Sequence, residues 1–428
     1  MRKKAYIQLI SHSNLGFIVM VLRAYPTVFD FINNKLSFLY VIFRDGEPFP
    51  SMFPNTYGFF VATAFLSAAL VLRQELKRRE ELKLLIGYPR EIVVGTGPNW
   101  IQLLINGGIS FLFGYKIIGA FTNMDQAAID QMAYLQSSEG SLLGGLLAMA
   151  LSILPAYRKA KKEELPKPER RWVDYMPHEQ IGEMVIIAAI FGILGAKIFD
   201  FLQPDRIQYF FKNMGNLLSN PALFVSGLTV YGGLIFGGLA ILVLAYRRKI
   251  HIAHLFDALG LSFLLAQGIG RLGCHFSGDG DWGIVNLNPR PSWIPESWWS
   301  NTYAHNVINA GEPIPGCTGQ YCYELSAGVY PTSIYEFFLF LGGFLMLFLL
   351  RKRLTPRPGL LFAGFLIFAG VERFLIEGIR VTSAASALGL TQAQIISIGM
   401  ILGGMGLIIY KFKSNLFSYT SSMKDGDN

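Results

Sequence analysis

The segment 270–283 combines an arginine, a histidine and two aspartates with five glycines, directly after an apolar run long enough to cross a bilayer. An arginine at membrane depth costs about 2.5–3.5 kcal/mol on insertion scales, so it needs polar surroundings. Glycines let a backbone approach a ligand and expose N–H groups to an anion. Arg271 and the glycines therefore predict an anion site at the end of a helix, with the carboxylates of Asp279 and Asp281 beside it. The alternative is an arginine that reaches to the lipid headgroups.

A second polar stripe lies in the segment 370–381. Arg373, Glu377 and Arg380 are spaced i, i+4, i+7, which places them on one face of a helix. In an otherwise apolar helix such a stripe faces the interior of the bundle. Guanidinium groups clamp phosphate, so the stripe predicts a polar cavity for an anionic lipid headgroup. A structural ion pair between helices is the alternative.

The composition indicates that these residues belong to a membrane protein. The 428 residues are 52% hydrophobic and only 15% charged, with a mean hydropathy of +0.39. Soluble domains carry about 25% charged residues. The net charge of +8 comes from basic residues in short loops between apolar runs. This pattern indicates cytoplasmic loops and excludes nucleic acid as the expected partner.

The apolar runs predict an all-α, polytopic transmembrane helix bundle of nine or ten helices with an outer loop cap. A spanning helix needs about 20 mostly apolar residues. The nine predicted helices are 55–72, 99–121, 140–157, 179–202, 226–246, 254–272, 332–350, 359–380 and 391–411. A tenth helix at 6–22 would place the N-terminus in the cytoplasm instead of outside.

Basic residues alternate with acidic or neutral loops and so predict the orientation. The loops predicted in the cytoplasm are 73–90, 158–178, 247–253, 351–358 and 411–428. The loops predicted outside are 122–139, 203–225, 273–331 and 381–390.

The loop 273–331 holds four of the six tryptophans, which suits either contact with headgroups or a small folded cap. Cys317 and Cys322 lie in this loop, on the predicted oxidising side, so we expect them to form a disulfide. Cys274 is expected to remain a free thiol near the bilayer.

Several segments resemble prolipoprotein diacylglyceryl transferases. Residues 270–283 look like the family signature Gly-Arg-x-Gly-Asn-Phe-x-Asn-x-Glu-x-x-Gly, and 373–380 match Arg-Phe-x-x-Glu-Phe-x-Arg. Residues 229–235 resemble its His-Gly-Gly-Leu-Ile segment, and 330–336 its His-Pro-Thr/Ser-Gln-Leu-Tyr-Glu segment. Residues 195–197 resemble Gly-Ala-Arg, and 57–58 its opening Tyr-Gly. The resemblance covers 55–72 and 179–411.

The resemblance implies a reaction in which the diacylglyceryl group of phosphatidylglycerol passes to the lipobox cysteine thiol of a prolipoprotein, releasing glycerol 1-phosphate. It implies a bacterial cytoplasmic (inner) membrane location. The expected partners are phosphatidylglycerol, the prolipoprotein signal peptide and membrane lipids. No cofactor and no metal are expected. The alternative is a divergent protein that binds or transports lipid without this chemistry.

The resemblance also implies roles for individual residues. Arg271 and Arg373 would bind the phosphate, and Glu377 would orient Arg373 or Arg380. Tyr57 and Tyr231 would contact the headgroup. The further residues expected to bind substrate are Gly232, Gly233, Gly273, Asp279, Asp281, Tyr335, Glu336 and Arg380.

The chain departs from the family at positions that bear on the chemistry. Tyr231 stands where the family has the histidine expected to act as general base, and Ala369 stands where it has a tyrosine. Unperturbed tyrosine, with a pKa of about 10, is a poor base at neutral pH. One hypothesis is that His275 accepts the proton, its ring held by Asp279 or Asp281. The alternative is that His275 only hydrogen-bonds the loop backbone.

The expected organisation has three parts. Residues 1–54 form an N-terminal outer or interfacial segment, residues 55–411 a transmembrane transferase-like domain, and residues 412–428 a cytoplasmic tail. The extra helices near 99–157 and the outer cap 273–331 belong to the middle part.

Overall fold

The computed structural model describes residues 24–36, 55–122, 134, 137–202, 229–381 and 389–424. The predictions for a helix at 6–22 and for an outer loop at 203–225 lie outside these residues. Each of the nine predicted spans contains a helix among the described residues, and seven of these helices are long and apolar enough to cross a membrane. In chain order the helices are α1 (Val28–Lys35), α2 (Thr56–Glu81), α3 (Trp100–Thr122), α4 (Leu142–Lys162), α5 (Ile181–Phe201), α6 (Val230–Arg247), α7 (Ile252–Ser277), α8 (Glu296–Trp299), α9 (Thr332–Leu354), α10 (Leu360–Glu377) and α11 (Gln392–Lys424).

The fold is a helical membrane bundle. Within the described ranges, seven helices are long and apolar enough to cross a membrane: α2, α3, α4, α5, α7, α9 and α11. Helix α10 has the length of a span but carries three ionisable groups in its last two turns, Glu372, Arg373 and Glu377. Arg373 and Glu377 belong to the polar stripe that the sequence indicated, and Glu372 lies beside them in the chain.

Helix α7 is the centre of the bundle, because it packs against α2, α9 and α10. Its apolar side joins a buried cluster that includes Leu264, Phe340 from α9 and Phe365 from α10. Burial of each such side chain contributes about 1.5–3 kcal/mol. This cluster holds the outer ends of α7, α9 and α10 at fixed positions, and the charged residues lie at those ends.

Buried charges fix the opposite end of α7. Arg79 of α2 is fully buried, and its Nε lies 3.0 Å from Oε1 of Glu75. Its Nη1 lies 2.6 Å from Nδ1 of His254 and 3.3 Å from Oδ2 of Asp257, both on α7. The Asp257 carboxylate also accepts hydrogen bonds from the first amides of α10, at 2.9 Å from Phe362 N. A carboxylate at a helix N-terminus satisfies amides that have no partner within the helix.

The extra helices α3 and α4 form a pair that packs through glycines. Around Gly114 and Gly144 the two backbones approach so closely that a Cβ on Gly144 would lie 2.8 Å from Gly114 O. Small residues at a helix interface allow this approach inside a membrane. Two antiparallel strands flank the pair in the chain, β1 (Tyr88–Val94) and β2 (Glu169–Tyr175).

The outer loop is a folded cap with its own core. Trp282 stacks on Tyr303, with 5.1 Å between ring centroids, and both pack with Val329. The cap contains the short strands β3 (Glu312–Pro313) and β4 (Tyr323–Glu324). Cys317 and Cys322 form a disulfide and Cys274 is a free thiol, as predicted. Trp293 is 82% exposed, so it does not contribute to the core.

Several helix ends differ from the predictions, and α2 continues beyond residue 72 to Glu81, into the segment predicted as the loop 73–90. Helix α7 continues to Ser277, where Gly278 ends it in the left-handed conformation with φ 63°. Helix α10 ends at Glu377, so the expectation that Arg380 shares its face is wrong. The reason is that the backbone of Arg380 leaves the helix to pair with Gly283 of the cap. Helix α11 continues beyond 411 to Lys424.

Candidate active site

Four charged side chains form a closed ring where α7, α9, the cap and the segment after α10 meet. Arg271 pairs through Nη1 with Asp281 and through Nε with Glu336. Arg380 pairs with the other oxygen of Asp281 and, at 3.2 Å, with Oε1 of Glu336. Each carboxylate therefore bridges both guanidinium groups. We call these four residues, Arg271, Asp281, Glu336 and Arg380, the charge ring.

The cap is attached directly at the charge ring. The carbonyl oxygen of Asp281 accepts hydrogen bonds from the hydroxyls of Ser333 (2.5 Å) and Thr332 (3.1 Å), in the first turn of α9. Two residues later, a Cβ on Gly283 would lie 2.5 Å from the carbonyl oxygen of Ile379. Only glycine permits this approach, which places Arg380 beside Asp281.

Helix α10 brings three more ionisable groups to the site. Arg373 Nη2 lies 2.8 Å from Glu377 Oε2, an i,i+4 ion pair. Arg373 is 31% exposed and its Nη1 has no hydrogen-bond partner among the described residues. Glu372 is buried, and the charges of Glu336 and Arg271 act on it.

A thiol and a second aspartate lie beside the charge ring. Sγ of Cys274 and carboxylate oxygens of Asp279 and Asp281 all lie within 4.8 Å of one another, and Cys274 hydrogen-bonds Asp279. Burial raises the pKa of the Asp279 carboxyl. Burial alone would also raise the pKa of Asp281. Arg271 and Arg380 lower this pKa by a larger amount, so it lies below the ordinary value. The half-exposed Tyr57 is within electrostatic reach of all three groups.

His275 points away from the charge ring. Its ring is 2% exposed, and Nδ1 lies 3.1 Å from the hydroxyl of Tyr303. The rings of Phe276 and Tyr303 meet it edge to face, at 5.4 and 5.6 Å between centroids. Burial raises the pKa of Tyr303, so its hydroxyl stays protonated and can donate to Nδ1. The hypothesised contact of His275 with Asp279 or Asp281 does not appear among the described hydrogen bonds.

The other predicted residues have different surroundings. The side chain of Tyr231 lies outside the described residues. Gly232 packs against Gly195 of α5, and Gly233 faces Gly192, where a Cβ would lie 3.4 Å from the carbonyl oxygen. Gly273 packs against Tyr57 and Phe60 of α2. The hydroxyl of Tyr335 donates to the carbonyl oxygen of Trp298 at 2.7 Å and so joins α9 to the cap.

Cys274, Asp279 and Asp281 are the described residues with spacing suited to a metal ion. Both oxygens of Asp281 already bind guanidinium groups, and Asp279 accepts from the Cys274 thiol and from Asp281 N at 3.2 Å. Metal binding requires deprotonated and available ligands. The trio fits a hydrogen-bonded polar cluster better than a metal site.

Sequence comparison with known proteins identifies the family of this chain. The sequence profile of the family described as prolipoprotein diacylglyceryl transferase matches residues 143–410. The chain belongs to this family. A phosphatidylglycerol–prolipoprotein diacylglyceryl transferase of Streptococcus sanguinis (strain SK36) is 30% identical over 238 residues, which are 55% of this chain and 80% of that protein. The profile match begins at the start of α4, a helix that lies outside the segments in which the sequence motifs resemble the family.

Further relatives with the same name come from two other bacteria. One, from Streptococcus pneumoniae (strain Hungary19A-6), is 28% identical over 54% of this chain and 78% of its own length. Another, from Staphylococcus carnosus (strain TM300), is 30% identical over 54% of this chain and 75% of its own length. The core of a family transferase is therefore present, and the remaining part of the chain is additional to the matched region.

Sequence reasoning missed two members of this transferase site. Glu372 lies directly before Arg373 in the apolar segment, but it is not part of the i, i+4, i+7 pattern that begins at Arg373. A carboxylate at membrane depth was itself the signal. Cys274 was expected near the bilayer but not beside Asp279, because its position depends on the extra turns of α7.

Proposed function

We propose that this protein transfers the diacylglyceryl group of phosphatidylglycerol to the lipobox cysteine thiol of a prolipoprotein and releases glycerol 1-phosphate. The observation that carries the proposal is the charge ring, in which Arg271 and Arg380 hold a carboxylate between them, with Arg373 on the adjacent helix. A phosphate group has the charge and the paired oxygens that such a pair of guanidinium groups binds.

The charge ring suggests how phosphate enters and leaves. Its two arginines and two carboxylates balance in charge. The two oxygens of Asp281 bind the two guanidinium groups at positions that phosphate oxygens would occupy. The phosphate of the lipid replaces them, and Arg373 adds the Nη1 donor, which has no hydrogen-bond partner among the described residues. When the bond from the glycerol carbon to the phosphate oxygen breaks, negative charge grows on the leaving group. Fixed guanidinium groups stabilise that charge, which is a major source of catalysis.

We further propose that the protein lies in the bacterial cytoplasmic (inner) membrane, with the cap on the outer side. Phosphatidylglycerol then enters from the membrane, and the signal peptide of the prolipoprotein reaches the charge ring below the cap. Tyr57, at the outer end of α2 and near Asp279, would contact the headgroup. Residues 55–411 form the transferase domain in this proposal, with 1–54 and 412–428 as flanking segments.

A transfer assay tests the proposed function. The purified full-length protein is mixed with phosphatidylglycerol carrying labelled acyl chains and a peptide with a lipobox cysteine. We expect a labelled peptide of higher mass and an equal amount of glycerol 1-phosphate. Lipid binding without either product would contradict the transferase and favour the lipid-binding alternative. Complementation of a strain depleted of its own transferase provides the test in cells.

A further inference from the structure

The acceptor thiol needs a group that takes its proton. An ordinary cysteine thiol has a pKa of about 8.5, so only a few per cent is ionised at pH 7, and the thiolate is the nucleophile. The family's histidine is Tyr231 here. The ring of His275 is enclosed by aromatic side chains and is paired with Tyr303. Neither residue provides the accessible imidazole that the family reaction uses.

Most carboxylates around the site are already engaged. Asp281 and Glu336 each bind both arginines of the charge ring. Glu377 is ion-paired with Arg373. Asp279 accepts hydrogen bonds from Cys274 and from the amide of Asp281. A carboxylate that holds a guanidinium group is a weakened proton acceptor, because the neighbouring positive charge favours its ionised form.

Glu372 differs from these four, each of which has an ion pair or a hydrogen bond. No ion pair among the described residues includes Glu372, which is 4% exposed, and its Oε1 also has no hydrogen-bond partner among those residues. Burial of an unpartnered carboxyl group is costly, and such groups in native proteins call for an explanation. The charges of Arg271 and Arg380 act on Glu372, which places it beside the charge ring.

The packing of α10 explains where Glu372 lies. Glu372 follows Phe365 by seven residues and Ala369 by three, so the three share one helix face. Phe365 and Ala369 are buried in the cluster between α7, α9 and α10. Glu372 is therefore at the outer end of this apolar cluster, next to the charge ring. Ala369, where the family has a tyrosine, leaves a small side chain one turn below it.

We propose that Glu372 accepts the proton of the acceptor thiol in this protein, an inference that rests on the proposed transferase function. The proton moves from sulfur to a Glu372 carboxylate oxygen as the sulfur electron pair forms a bond to the terminal glycerol carbon of the diacylglyceryl group. The bond from that carbon to the phosphate oxygen breaks, and its electrons leave with glycerol 1-phosphate. The proton on Glu372 is then released to the leaving phosphate or to water, which restores the carboxylate.

The test compares Glu372→Gln with the wild type in the labelled-lipid assay. We expect at least a 100-fold lower transfer rate at pH 7, in the range that general bases contribute. The residual rate should rise about tenfold per pH unit from pH 6 to 8, because only thiolate formed in solution reacts. The wild-type rate should rise less steeply. Glu183→Gln on α5, which pairs with Arg248 away from the site, is the matched control and should keep the wild-type rate and profile.

A selenocysteine acceptor peptide separates a proton acceptor from a structural role. Its selenol is already ionised at pH 7, so Glu372→Gln should transfer to it at nearly the wild-type rate. An equal loss with both peptides would overturn the inference, as would a Glu372→Gln rate within threefold of the wild type with an unchanged pH profile. If Glu372→Gln does not fold, Glu372→Asp must keep the wild-type pH profile at a lower rate, and a thiolate-limited profile overturns the inference. A wild type that transfers to neither peptide contradicts the proposed function itself.

Discussion

Arg79 and His254 are joined by a contact of 2.6 Å between Nη1 and Nδ1, buried between α2 and α7 at the end of the bundle opposite the charge ring. The same guanidinium group binds Glu75 and Asp257. His254 is an acceptor in this geometry, because a guanidinium group only donates. The contact therefore holds a neutral histidine whose Nδ1 lone pair accepts the hydrogen bond from Arg79.

The first prediction concerns this buried network. Replacement Arg79→Met leaves the buried carboxylate of Asp257 without its cationic partner, whereas Glu75 keeps two other arginine partners. We expect a loss of about 3–5 kcal/mol of stability. Thermal unfolding in detergent measures it. Arg73→Met, an exposed position on the same helix, should change the midpoint little. Equal midpoints for the two variants would show that the network contributes nothing.

The second prediction concerns the charge ring. Arg271→Lys keeps the positive charge but replaces a planar fork by a point charge that cannot bridge Asp281 and Glu336 together. We expect transfer to fall by roughly 100-fold, which is typical of losing a group that stabilises developing charge. The assay with labelled lipid measures the rate. The same exchange at the exposed Arg290 of the cap should leave it unchanged, and comparable losses at both positions would contradict the assigned role.

The third prediction follows from the pKa of Asp279, which burial raises in the folded protein. A raised folded pKa stabilises the protein below the unfolded value, about 3.9, and this contribution is lost as pH rises through the folded pKa. Asp279→Asn removes the buried charge and should raise the unfolding midpoint at pH 7. The gain should shrink as the pH falls through the raised folded pKa of Asp279, because the buried carboxyl becomes protonated and loses its charge. Thermal unfolding midpoints of both proteins, measured from pH 4 to 8, test this prediction. A gain that does not change with pH would contradict burial of the Asp279 charge as its cause.

The fourth prediction concerns the three cysteines. Alkylation of unfolded, unreduced protein should add one group, at Cys274, and reduction should raise the number to three. The chain-entropy model gives about 2 kcal/mol for a disulfide that closes so short a loop. The double replacement of Cys317 and Cys322 by serine should therefore make the cap easier to cleave with protease. Three adducts before reduction would refute the bond.

The fifth prediction concerns orientation, which rests on the alternation of basic loops. In a Cys274→Ser background, a cysteine replacing the exposed Ser292 of the cap should react with an impermeant thiol reagent on intact cells. A cysteine replacing Lys167, in the segment between α4 and β2, should react only after the membrane is opened. The reverse pattern would invert the proposed topology.

The bundle could be predicted from the sequence because each spanning helix must satisfy its own backbone within the membrane, so apolar length alone reveals it. The disulfide was predictable for a similar local reason, since Cys317 and Cys322 are close in the chain. The end of α10 was not predictable. Arg380 continues the helical spacing perfectly well, but its backbone pairs with Gly283, almost one hundred residues earlier.

The candidate site divides in the same way. Arg271, Arg373 and Glu377 were found because charge in an apolar run is conspicuous in sequence. The pairing of Arg271 with Asp281 and Glu336, and the pairing of His275 with Tyr303, depend on how the last turns of α7 rotate beneath the cap. A tertiary contact decides that rotation, and no local spacing contains it.

The charge ring also fastens the cap to the helix bundle. Asp281 enters the cap and Arg380 belongs to the bundle, so the cap cannot lift there without separating their charges. A phosphate that takes the place of the Asp281 carboxylate, as proposed above, removes this side-chain contribution, while the hydrogen bonds from Ser333 and Thr332 to the Asp281 carbonyl oxygen remain. In the proposed reaction, lipid binding therefore weakens the attachment of the cap without detaching it, and the loss of glycerol 1-phosphate restores the full attachment.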